Sequence, residues 1–97
     1  MGLLITPLQL KVDENNLVSA EIYLPEETKA VFVFAHGAGA GMHHPFMKDL
    51  SAALARHSIA TLRYNFLYME QGKKRPDFPA VTHKVISAAI IKAHELF

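Results

Sequence analysis

Behind His36 the sequence reads Gly37-Ala38-Gly39-Ala40-Gly41-Met42-His43-His44-Pro45, and no other stretch offers as much chemistry. Glycine at alternate positions frees the backbone for positive φ or for close approach to a ligand, and Pro45 suits the first turn of a helix. An apolar run, a glycine-bearing turn and a helix start, in that order, place unpaired N–H groups where a negative charge can rest. The three imidazoles offer a second chemistry, since histidine is a common metal ligand. Adjacent histidines point apart unless the loop curls, and Asp49 already lies on the helix. The favoured reading therefore has no metal: His36 anchors the turn, and Gly41, His43 and His44 line the mouth of a cleft. Nucleotide binding is disfavoured, because G-x-G-x-x-G needs glycine where Met42 stands and no P-loop lysine follows.

Arg63, Tyr64 and Asn65 form the second group, at the carboxyl end of a predicted parallel strand, where open α/β sheets bind ligands. Two readings stay open: they orient the glycine loop or a substrate, or they merely end the strand. Asp77 is a candidate ion-pair partner for Arg63 or Arg75. Lys73-Lys74-Arg75 reads as a solvated turn, without the interleaved aromatics or basic helix of a nucleic-acid surface.

The elements that must hold these residues follow from periodicity. Thr6 to Val12 and Leu17 to Leu24 alternate around Asp13-Glu14-Asn15-Asn16, which predicts two antiparallel strands. Val31-Phe32-Val33-Phe34 is apolar without alternation, as in a strand covered on both faces. From Phe46 to His57, apolar residues at three- and four-residue steps (Phe46, Met47, Leu50, Ala53, Leu54) predict an amphipathic helix. Ile59 to Phe66 predicts a strand in which Ala60, Leu62 and Tyr64 alternate with Thr61, Arg63 and Asn65, and the strand, helix, strand unit implies a right-handed parallel crossover. Leu67 to Pro79 reads as a loop, and Ala80 to Phe97 as a helix with Val81, Val85, Ile86, Ala89, Ile90, Ala93 and Phe97 on its apolar face.

Composition narrows the classes. The 97 residues are 51% apolar and 20% charged, ordinary for one globular domain or a part of one, and the net charge of +1 gives no electrostatic reason to expect nucleic acid or an anionic membrane as partner. Without cysteine there is neither a disulfide framework nor a thiolate nucleophile, and the cytoplasm is the default location. No run reaches the ~20 apolar residues of a membrane span, and Gly2 with Thr6 meets only the permissive myristoylation pattern.

VFVFAHGAGAGMHHPFM followed by LRYNFLYMEQGKKRPD resembles the N-terminal part of an α/β-hydrolase, and is most similar to the small-hydrolase group of the testis-expressed and NSL-complex-subunit proteins, near the dienelactone hydrolases. Two positions depart from that group: Leu67, where relatives tend to carry proline, and Ser58, where a helix-ending glycine is frequent. The resemblance implies an α/β fold in the order strand-strand-strand-helix-strand-helix, incomplete without a nucleophile strand. It implies that His36, Gly37, Ala38 and Gly39 form an oxyanion loop, with the Ala38 N–H as donor, and that no cofactor is needed. The substrate would be an ester, a thioester or another small acyl compound. The family's nucleophile stands in a G-x-S-x-G turn, and none of Ser19, Ser51, Ser58 and Ser87 is so flanked, so no catalytic triad is expected here. By the same resemblance the Val31 to Ala35 strand lies between the Ile59 strand and the nucleophile strand. The chain is therefore expected to be a partial domain, with that strand as an edge open to self-association or to a complementing chain.

Overall fold

The computed structural model describes residues 4–37 and 40–96. Gly2, Ala38, Gly39 and Phe97, all named above, lie outside them. The elements run β1 (Leu4–Asp13), β2 (Asn16–Leu24), β3 (Ala30–Ala35), α1 (Pro45–Ala55), β4 (Ile59–Tyr64), α2 (Leu67–Glu70) and α3 (Pro79–Leu96). This is the expected α/β order with a one-turn helix added, and four residues are too few for a period to show.

The hairpin closes locally. Asp13 accepts from the Asn15 N–H at 2.9 Å and from the Asn16 amide at 3.0 Å, and the Asn16 bond, ahead of the Asn15 one, holds its carboxyl below the ordinary range. The four strands then form one sheet in the order β1-β2-β4-β3, with β4 antiparallel to β2 and parallel to β3.

That order leaves β3 at an edge, as the resemblance implied, and the burial along the strand corrects the reading of the apolar run. Val31 to Phe34 is not covered on both faces: β3 lies at the sheet edge, with Ala30, Phe32 and Ala35 exposed. The strand buried on both faces is β4, where Ala60, Leu62 and Tyr64 enter one side and Thr61 and Arg63 the other. Its alternation of apolar and polar side chains reflects two different interiors, not an inside and an outside. On the first side Leu62 and Tyr64 join Leu10, Val18, Ala20 and Ile22 of the hairpin against Val85, Ala89 and Ala93 of α3, and this is the main core. On the second side α1 presents Met47 and, unexpectedly, Ser51, while Phe46 turns to solvent. Ile90 also leaves its predicted face and is exposed.

Both departures from the family pattern have a backbone explanation. Leu67 is the first residue of α2, the position where proline costs least. Ser58 follows α1 with φ at 65°, in the left-handed region that glycine enters without strain. Its carbonyl accepts from the Lys29 N–H at 2.8 Å and fixes the approach to β3. Left-handed backbone costs a residue with a Cβ about 1–2 kcal/mol, and glycine returns about 0.4–1 kcal/mol through the freer unfolded chain. Ser58→Gly is therefore expected to stabilise the fold by about 0.5–1 kcal/mol, read as a higher urea midpoint at unchanged slope.

Candidate functional site

Parallel strands end on the same side of a sheet, so β3 and β4 deliver Ala35 and Tyr64 side by side and the two following loops meet. His36 joins them. Its Nδ1 faces the Gly37 carbonyl at 2.7 Å and must donate; its Nε2 receives the Phe66 N–H at 3.1 Å and must accept. That fixes the neutral Nδ1–H tautomer, and the ring also meets Phe66 and Tyr68 edge-on, at 5.0 and 5.9 Å between centroids. With both nitrogens engaged and only 5% of its surface exposed, His36 is the anchor of the turn.

The loop then folds back. The Ala40 N–H donates to the Gly37 carbonyl at 3.1 Å, Gly41 takes φ of 77°, and the His44 N–H donates to the Gly41 carbonyl at 3.3 Å. Met42 is held by both of its backbone polar groups: its N–H donates to Asn65 Oδ1 at 2.9 Å and its carbonyl accepts from Arg63 Nη1 at 3.1 Å. His44 caps α1, its Nδ1 accepting from the Phe46 N–H at 3.2 Å, whereas His43 lines a shallow groove of about 460 Å³ with Met42, Glu21, Ser19, Gln9 and Pro7. The histidines thus part company. Among the described residues no three His, Asp or Glu side chains gather as a metal site would require.

Arg63 has no exposed surface, and its charge is met from three sides. Glu21 stands directly opposite on β2 and pairs with Nη2, the Met42 carbonyl takes Nη1, and the Tyr23 ring lies 4.7 Å below the guanidinium carbon. Among the described residues its Nε has no hydrogen-bond partner. Asp77 pairs with neither arginine; its Oδ2 accepts from the Tyr68 N–H at 3.1 Å. Asn65 faces the loop with Arg63. Tyr64, of opposite parity, is in the α3 core, where burial pushes its phenol above the ordinary value. The sequence therefore grouped as one site three residues that the strand period divides. It also passed over Glu21, Ser19 and Glu70. Glu21 was the only one with a signal: a carboxylate within an otherwise apolar stretch of β2.

The profile of the alpha/beta hydrolase domain family matches residues 28–95. The chain belongs to that family. The chain is also similar in structure to an alpha-beta serine hydrolase homologue from Coxiella burnetii, with a TM-score of 0.68 at 15% identity, over 93% of this chain and 45% of the other. A protein from Klebsiella pneumoniae assigned as a dienelactone hydrolase aligns over 89% of this chain and 37% of its own, with a TM-score of 0.47 at 18% identity. The chain thus spans less than half the length of either structure. No curated protein matches the sequence.

Arg63→Met is expected to cost the chain about 3–5 kcal/mol by urea denaturation, toward the lower end because Glu21 keeps 17% of its side chain in water. Glu21→Leu combined with Arg63→Met should recover most of that loss, since the cost lies in the carboxylate left behind.

Proposed function

We propose that this chain carries the oxyanion loop of a serine-type hydrolase acting on an ester, a thioester or another small acyl substrate. The observation that carries the reading is the glycine-bearing turn after His36, held at the carboxyl end of a parallel strand pair in a chain of the α/β-hydrolase family. Residues 36–39 would face the charge that develops as an acyl carbonyl is attacked, and one such donor is typically worth ~2.7–4 kcal/mol of barrier. His43 would border the approach beside the groove, and Arg63 and Asn65 would support it from behind through the Met42 backbone, next to Gly41. Placement in the small-hydrolase group rests on HGAGAG, LRYNF and KRPD alone, and the cytoplasmic location on the absence of cysteine. No described helix is long and apolar enough to cross a membrane.

The serines of this chain are poor nucleophiles where they stand. Ser19 donates its hydroxyl to Glu70 at 3.0 Å, Ser51 is buried under α1, and among the described residues no serine is hydrogen-bonded to a histidine. The isolated 97 residues are therefore expected to show neither p-nitrophenyl acetate turnover above background nor labelling by a fluorophosphonate. Turnover abolished by that probe would overturn the assignment of the nucleophile to another segment. Reading the coding sequence beyond Phe97 is the companion test, since a strand followed by G-x-S-x-G is what this reading requires.

A second reading, a non-catalytic interaction module, is favoured by the free side of β3. Phe32 is 45% exposed and stacks on Phe34 at 5.1 Å, and the strand carries no charge or proline to discourage pairing. Association through Val31 to Ala35, with a second copy or a complementing chain, is then expected. Size-exclusion chromatography with light scattering at micromolar concentration should show oligomers that Phe32→Lys disperses. A clean wild-type monomer counts against it.

A further inference from the structure

The Asn65 side chain lies between two groups that can each bond in only one sense. The Met42 N–H can only donate, and it meets Oδ1 at 2.9 Å; the Glu70 carboxylate only accepts, and its Oε1 lies 3.3 Å from Nδ2. Glu70 is itself held from the neighbouring strand: the Ser19 N–H donates to Oε1 at 2.6 Å and the Ser19 hydroxyl to Oε2 at 3.0 Å. β2 and β4 are also joined here, the Asn65 N–H donating to the Ser19 carbonyl at 3.0 Å. One line of hydrogen bonds thus runs from β2 through a one-turn helix into the glycine-bearing loop.

We propose that Glu70 is a positioning residue for that loop. An asparagine amide has two nearly equivalent orientations, and only one presents an acceptor to Met42. By taking Nδ2, Glu70 selects it. With the carboxylate gone, the amide is free to turn its NH₂ toward the Met42 N–H, and the turn between His36 and α1 loses a fixed point that Arg63 alone does not replace. The functional meaning rests on the oxyanion-loop reading; the geometry does not.

The test is amide hydrogen exchange by NMR on the chain as it is. In Glu70→Ala the Met42 amide is expected to exchange about tenfold faster, the equivalent of one hydrogen bond of ordinary net strength. Glu70→Gln keeps an acceptor for Nδ2 and should restore slow exchange. In Asn65→Asp both side-chain oxygens accept, so adding Glu70→Ala, which also removes the repulsion between two facing carboxylates, should not speed Met42 exchange. A residue that merely supports the fold would speed Met42 equally in both backgrounds. The proposal is overturned by unchanged Met42 exchange in Glu70→Ala, by an equal effect in the Asn65→Asp background, or by matching acceleration at the core amides of Leu62 and Val85. Unfolding of Glu70→Ala belongs with the last of these outcomes. No turnover enters the measurement, so an absence of hydrolase activity and a failure of this proposal are seen separately.

Discussion

A guanidinium with no exposed surface constrains everything around it. The charge of Arg63 is tolerable inside the sheet only because a carboxylate on the adjacent strand, an aromatic face and a loop carbonyl meet it together. The carboxylate requires the β2–β4 register that sets Glu21 opposite Arg63. The carbonyl requires the loop after β3 to return over the end of β4. A buried ion pair is weak evidence for stability, because its desolvation offsets much of its attraction. It is stronger evidence for specificity, since a shift of one residue would turn Arg63 into the apolar side against α3.

The polar bonds at the carboxyl end of the sheet form a clasp around Met42 and His36. Arg63 comes from β4 and Asn65 from just beyond it, His36 from the residue after β3, and Glu70 reaches in from α2 with Ser19 behind it. Each bond here has a determined sense of donation. Such a network holds one arrangement of the backbone more firmly than apolar contacts would, which is what the oxyanion role proposed for the loop would need.

Much of this was legible from residue order. Alternation around Asp13 to Asn16 gave the hairpin, Pro45 the start of α1, and the HGAGAG turn the loop, because each is a local signal. What was not legible depends on pairing. An unbroken run such as Val31 to Phe34 has the same pattern whether both faces of a strand are covered or one is partly bare; the edge position followed from the resemblance, but the exposure of Phe32 did not follow from the run itself. Ser51 and Ile90 exchanged expected surroundings because the interior beneath α1 and the exposed flank of α3 are set by neighbouring elements, not by the helix period. Glu70 carried no mark at all; its partner Ser19 is distant in sequence, and the helix between them and the loop is one turn long.

The main core lies wholly on the α3 side, where Leu10, Val18, Leu62 and Val85 exclude water, while the loop and its polar supports lie at the sheet's end and toward α1. Cohesion and presentation are thus divided between opposite surfaces of one sheet. Pro7, Gln9 and His43 stand exposed along the groove and can be exchanged without opening the apolar interior, so that rim tolerates change while the sheet retains its shape.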